Sequence, residues 1–305
     1  MLVSQEVLKS ISKKVSFHNL DETIEITDIE HVQNKTGRKF KNQCLYWLDF
    51  DEISDNQLNK SKGILLLGKK QFQKIGKRKA GSAELIVADD PSLLFFAVAE
   101  FLCNEEIVPS VHSTATVHPE AIIGNNVYIG AGAVVDSCTI GDNCMIHSNS
   151  SIGKGVKIGN NTVIHSGANI GFNVFSFKQN PKGEWMKYQQ IAGVKIGNNV
   201  TIGSNTCINN GFITDTKIHD NSFIDSLCQI QGSVEIGEKS IVAAGSFIAT
   251  NITIGNRCWI SPHVSIRENV KITDDVFVGI GSVVLRSIKK PCRVFGNPAK
   301  KITAI

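Results

Sequence analysis

Residues 218–284 read IHDNSFIDSLCQIQGSVEIGEKSIVAAGSFIATNITIGNRCWISPHVSIRENVKITDDVFVGIGSVV, and this stretch decides the fold. An aliphatic residue stands at every sixth position: Ile218, Ile224, Ile230, Ile236, Val242, Ile248, Ile254, Ile260, Ile266, Ile272, Val278 and Val284. A helix repeats near 3.6 residues and a half-buried strand every 2, so neither produces this spacing. A period of six fits a coil of short strands and tight turns with one residue per hexad pointing inward. Stacked coils align those residues into one continuous core, which predicts a parallel β-helix. Three hexads close one triangular coil, so residues about 18 apart are expected to stack.

Upstream, Val111, Val117, Ile123 and Ile129 open the same series. One residue drops out near Val135–Ser137, and Ile140, Ile146, Ile152, Ile158, Ile164 and Ile170 resume it. Glycine often follows the inward aliphatic, as at Gly124, Gly141, Gly237 and Gly255. Glycine and asparagine tolerate positive φ at low cost, and corners of such a coil are expected to need it. The pattern breaks over residues 172–193, FNVFSFKQNPKGEWMKYQQIAG, which predicts an extruded, aromatic-rich loop, either functional or packed on itself over the solenoid. A smaller irregularity spans Asn209–Thr216.

Residues 1–108 carry no hexads and predict a small α/β domain, with Pro109 at the boundary and the repeats filling 109–305. Helices are expected over Ser4–Ser12 and Pro91–Leu102, and strands over Gln43–Trp47, Gly63–Leu67 and Ala83–Val87. Asp89-Asp90-Pro91 is a good helix start, because acidic groups complement exposed N–H groups and proline fits the first turn.

A charged share of 20% and a net charge of +4 describe a globular chain and give no case for nucleic acid. The cluster Lys69, Lys70, Lys74, Lys77, Arg78 and Lys79 reads as a solvated loop or a phosphate patch. No run approaches the ~20 apolar residues of a membrane span, and the N-terminus lacks a signal-peptide core, so a cytoplasmic location is expected. The eight cysteines form no CxxC pair. Cys138, Cys144, Cys207, Cys228 and Cys258 fall inside the repeats, where they read as small apolar fillers in a reducing compartment. His147 and His165 are 18 residues apart and are expected to stack. A metal site would need a third ligand, none is evident, and no metal is assigned.

HSGANIGFNVFSF (165–177), GEWMKYQQIAGVKIG (183–197), NTCINNG (205–211), DTKI (215–218) and FIDSLCQI (223–230) carry a further signal. With the hexads, they resemble the left-handed β-helix acyltransferases, in particular the lipid A pathway N-acyltransferases, which acylate the amine of a 3-O-acylated UDP-glucosamine. CLYWLDF (44–50) and ADDPSLLFFAVAEFL (88–102) sit where the uridine-binding domain of that family has its motifs. The resemblance implies a homotrimer and acyl transfer to a nucleotide-activated amino sugar. Tyr46 and Trp47 are then candidates to stack on the base, or core strand residues, with Asp49 to hydrogen-bond it. Phe175, Phe177, Asn209, Asn210 and Gln231 are further candidates at the acceptor site.

The departures from that family bear on chemistry. Its base stands in an A-H-N triplet after a Q-I pair, and the matching residues here are Gln231, Gly232 and Ser233. Thr250 replaces the glycine whose amide would hold the oxyanion, though its own N–H still qualifies. Asn209-Asn210 stand for an Asp-Arg pair, and Asn269 for a second histidine. Asp225 and His263 are candidate substitutes for the base, each with a structural alternative. An amine delivered neutral is already a nucleophile, so the missing base favours an amino sugar over an alcohol.

VGIGSVVLRSIKKPCRVFGNPAKKI at the C-terminus resembles the end of coenzyme A-dependent sugar acetyltransferases. It implies acetyl-CoA or another acyl-CoA as donor, with no cofactor bound permanently. Arg286, Lys289, Arg293, Asn297 and Lys300 are the donor-binding candidates, alongside Lys290. The leading expectation is transfer of a short acyl group, acetyl, from coenzyme A. The alternatives are a 3-hydroxyacyl donor on acyl carrier protein and a non-catalytic nucleotide-sugar-binding homologue.

Overall fold

The computed structural model describes residues 2–4, 8, 15–18, 23–26, 28–32, 44–48, 63–75, 84–103, 108–173 and 175–302. The chain divides into two compact units, Met1–Glu106 and Ile107–Ile305.

The first unit holds a five-stranded sheet in the order Val15–His18, Glu84–Ala88, Ile64–Gly68, Cys44–Leu48, Asp28–Val32. Its first pair is antiparallel and the rest are parallel. Helices α1 (Lys69–Ile75) and α2 (Pro91–Cys103) follow two of these strands. Asp90 caps α2: its Oδ1 accepts the Leu93 N–H at 3.0 Å and the Ser92 hydroxyl at 2.6 Å, and both bonds hold its carboxyl below the usual range. Leu94, Phe95 and Val98 of α2 join Leu45, Ile64, Leu66 and Ile86 in the core. The three expected strands lie one residue further along the chain than the periodicity placed them. Ser4 belongs to a strand, Leu2–Ser4, rather than to a helix, and most of the expected Ser4–Ser12 helix lies outside the described residues.

The second unit is the expected β-helix. Its short parallel strands form three faces, beginning at Thr116–Val117 (face 1, nine strands), Ile122–Ile123 (face 2, eight strands) and Tyr128–Ile129 (face 3, ten strands). Each face pairs a strand with its counterpart one coil away, as in Ile230↔Ile248↔Ile266 on face 1. Every one of the aliphatics from Ile218 to Val284 quoted above is at most 2% exposed. The dropped residue follows Val135, where the corner between faces 1 and 2 is one residue short and Val135 stays buried.

A second inward position, in each corner, is often hydroxyl or thiol. Ser150 Oγ donates to His165 O at 3.1 Å, Thr162 Oγ1 to Gly197 O at 2.9 Å and Ser240 Oγ to Gly255 O at 2.8 Å. Cys144 Sγ does the same to Gly159 O at 3.0 Å and Cys258 Sγ to Thr273 O at 3.2 Å. Each side chain staples its corner to the next coil and satisfies a carbonyl the strands leave over. Cys144, Cys228 and Cys258 are therefore corner staples as well as apolar fillers. Burial pushes the Cys138 and Cys228 thiols up to about 11, which leaves them unreactive.

The corners need positive φ as expected, at asparagines and at glycines such as Gly132, Gly155, Gly167 and Gly281. Gly237 and Gly255 do not need positive φ; they need room. A Cβ on Gly237 would stand 2.6 Å from the Gly255 carbonyl carbon. In their corners the positive φ falls two residues later, at Lys239 (56°) and Arg257 (54°), and after Gly141 and Gly159 it falls at Asn143 (56°) and Asn161 (55°). Asparagine adopts that conformation at low cost, and its side-chain amides bond across coils, as Asn143 does to Asn161 at 3.2 Å.

Candidate functional site

Both interruptions of the hexads leave the solenoid at the same corner, between faces 1 and 2. Residues 172–193 project there from the strand Asn169–Phe172. Within the projection, Phe177–Gln179 and Trp185–Lys187 pair as an antiparallel hairpin. Asn180 closes it, its Oδ1 accepting the N–H groups of Lys182 (2.9 Å) and Glu184 (3.0 Å). Phe175 is 90% exposed and stacks at 4.5 Å on Phe177, while Trp185 and Ile191 are also open.

One coil further, Asn209–Asp215 bulges beside the return of this arm. Ile191 N–H donates to Phe212 O at 3.1 Å, and Gly211 N–H to Gly193 O at 3.1 Å. Asp215 ties the two segments, accepting the Gly193 N–H at 2.9 Å and pairing with Lys195 at 2.6 Å. These contacts, the Lys195 bond first, hold its carboxyl below the usual range.

Gly232 occupies the same corner in the next coil, and Thr250 and Asn269 follow in turn: Asn251 N–H donates to Gly232 O, and Asn269 N–H to Thr250 O. Gln231 Oε1 accepts from Asn209 Nδ2 at 3.3 Å, and Ser233 Oγ bridges the Phe212 N–H (2.9 Å) and Thr214 O (3.0 Å). The column thus assembles Asn209, Asn210, Gln231, Gly232 and Thr250 from three coils. Its side chains are amides and hydroxyls, a strip suited to the hydroxyl groups of a sugar. Asn210 Oδ1 is buried there with no hydrogen-bond partner. Gly232 is itself buried, and a Cβ added to it would stand 2.5 Å from the Asn210 main-chain oxygen.

Other candidates fall elsewhere. Asp225 and His263 lie at the corner between faces 3 and 1, so a single subunit does not bring them to Gly232. The Asp225 carboxylate braces its own corner, accepting the Ser226 N–H at 2.6 Å and the Ala244 N–H at 3.2 Å. His263 sits at φ 56° with its ring in the space where Gly245 lacks a side chain. Tyr46 is 1% exposed in the core of the first unit, and Trp47 packs edge-on against Phe96 and tilted against Phe95. The core-strand reading accounts for both. Asp49 lies outside the described residues, as do Lys77, Arg78 and Lys79; Lys69 is paired with Asp89.

The donor candidates are distributed around the last coil rather than gathered. Arg286 is at the corner of faces 1 and 2, Lys289 follows the bridge of Ile288 to face 2, and Arg293 is on face 3 over the Phe277 ring at 5.8 Å. Asn297 precedes Pro298 through a cis peptide, and Lys300 pairs with Phe295 in a terminal antiparallel hairpin. Arg293 lines an open groove of about 480 Å³ with Arg257, Trp259, Asp275 and Phe277. Arg257 and Trp259 were not signalled by motif; their only sequence mark is the outward slot, one residue before or three before an inward aliphatic.

His147 and His165 stack as expected, with ring centroids 5.1 Å apart and planes at 13°. Burial, then the neighbouring His165, lowers the His147 pKa from its ordinary 6.5. Stability from a neutral His147 is therefore fully present above the ordinary value and is lost as pH falls through the depressed one. The melting temperature is expected to drop between pH 7 and pH 5, and to drop less in His147→Gln; equal drops would rule this coupling out.

Residues 137–172 and 215–250 match the bacterial transferase hexapeptide (six repeats), and residues 120–153 match the hexapeptide repeat of succinyl-transferase. The solenoid is a left-handed β-helix of hexapeptide repeats. A UDP-3-O-acylglucosamine N-acyltransferase of Bordetella avium is 40% identical over 133 residues, 43% of this chain and 37% of the relative. A probable mitochondrial enzyme of the same name from Arabidopsis thaliana is 38% identical over 155 residues, 51% of this chain and 49% of the relative. The chain thus spans less than half the length of the curated relatives it matches. Among solved structures, the UDP-N-acetylglucosamine acyltransferase of Bacteroides fragilis superposes with a TM-score of 0.57 at 27% identity, over 63% of this chain and 74% of that one.

Proposed function

We propose that this protein is a sugar N-acyltransferase that acts on the amine of a UDP-linked 3-O-acylglucosamine, with the acceptor laid along the corner of faces 1 and 2. One observation carries this reading. Both breaks in the repeat, the arm at 172–193 and the bulge at 209–215, leave the same corner, and the bulge is hydrogen-bonded to Gln231 and Ser233. Those breaks fall within the segments that resemble N-acyltransferases, and the curated relatives carry that name. They favour this reading over acetyl transfer from coenzyme A. The donor is then a 3-hydroxyacyl group on acyl carrier protein, the donor implied by the family resemblance.

A homotrimer fits the outward side chains of face 3. Phe223 and Trp259 are nearly half exposed there, with Phe247 on face 1, and outward aromatics of this kind suit burial against another subunit. Among the described residues no helix is long and apolar enough to cross a membrane.

The test is incubation of the purified chain with 3-hydroxyacyl-acyl carrier protein and UDP-3-O-acylglucosamine. In parallel it receives acetyl-CoA with UDP- and dTDP-amino sugars. N-acylated product is expected from the carrier-protein donor. Product from acetyl-CoA alone would install the second reading, which the tail resemblance favours. Sugar binding without product from any donor would make the chain a binding protein.

A further inference from the structure

The residue in the position of the family's base is not only changed but sealed. Gly232 is buried, and the Asn210 carbonyl oxygen stands 2.5 Å from the point its Cβ would occupy. Real Cβ atoms do not come that close to an oxygen, so the bulge at 209–215 leaves no room for any side chain there.

Of the acids near this corner among the described residues, Asp215 and Glu268 are each paired with a cation. Asp215 in the preceding coil pairs with Lys195 at 2.6 Å and has Lys217 nearby. Glu235, on the strand after the corner, holds His219 Nε2 at 2.8 Å at the far edge of face 2. Glu268, two coils on, pairs with Arg267 at 3.1 Å. A carboxylate held by a cation is a weak proton acceptor, and His219 follows Ile218 at the other end of face 2 from Gly232. The Asp215 and Glu268 carboxyls both lie below their ordinary range.

We infer that acyl transfer at this corner takes no base from the subunit that forms it, and that the acceptor arrives as the free amine. This rests on the N-acyltransferase reading and sharpens it. The amine lone pair attacks the thioester carbonyl carbon, the C–N bond forms and the C–S bond breaks. The sulfur leaves as thiolate, and the proton shed by the new amide nitrogen ends on that sulfur. No further reactant is needed. A hydroxyl acceptor would have to lose its proton earlier, to a group this corner lacks, so the substrate class is restricted to amines.

The consequence is that the acid limb of the kcat/KM profile belongs to the substrate. Below its inflection the rate should fall about tenfold per pH unit, with the inflection at the ammonium pKa of the acceptor. The experiment compares kcat/KM against pH for two amino-sugar acceptors of different ammonium pKa, with one thioester donor. It uses the wild-type chain and the variants Asp215→Asn and His219→Gln. The inflection is expected to shift by the full difference between the acceptors and to stay in place in both variants, whatever their absolute rates. An inflection common to both acceptors, or one abolished in either variant, overturns the inference while leaving the acyltransferase reading intact. No transfer to any acceptor at any pH defeats the acyltransferase reading, and this inference with it.

Discussion

Gly232→His is expected to destabilise the chain and to leave acyl transfer no faster. In the resembling family a histidine at this position is the base, so by sequence alone the substitution is a repair. By structure it is an intrusion, because its Cβ must displace the Asn210 carbonyl from 2.5 Å. That displacement disturbs a bulge held by the Phe212 N–H to Ser233 Oγ and by Gly211 N–H to Gly193 O. Overpacking of this kind costs about 1–3 kcal/mol. Urea denaturation should show the loss, and kcat at saturating donor should fall or stay level. A rise in kcat of tenfold or more would mean that the bulge yields easily and that the corner still accepts a base.

Ile248→Ala should lower the unfolding free energy by about 2–5 kcal/mol, a large share of the ~5–15 kcal/mol a domain typically has. Ile248 is fully buried and is stacked between Ile230 and Ile266, so the cavity opens on two neighbouring coils at once. Coils in a solenoid hold each other chiefly through such nearest-neighbour contacts. Phe247, the adjacent residue in the same two-residue strand, points outward and is 43% exposed. Lys271→Ala, at the outward position beside the buried Ile272 on face 2, should cost under about 1 kcal/mol. Comparing the two midpoints in urea checks the register directly: similar losses would mean that inward and outward positions are misassigned.

The hexad series determined the solenoid without help, because each inward residue makes the same contact in every coil. A repeated environment leaves a repeated mark, and the stacking of His147 on His165 followed from the interval alone. The site was legible only as substitutions. Gln231, Gly232, Thr250 and Asn269 depart from the pattern of the resembling family, and their spacing puts them in one column. The tertiary structure decided what that column can do. It put the arm and the bulge at the same corner, moved Asp225 and His263 to another, and buried Tyr46 in a core. It also closed the space beside Gly232 with the main chain of Asn210. No periodicity reports that contact, since it joins residues 22 apart across a coil lengthened by an insertion. The path of an inserted backbone is set by its packing on the coils around it, whereas the path of a regular coil is set by its own repeat.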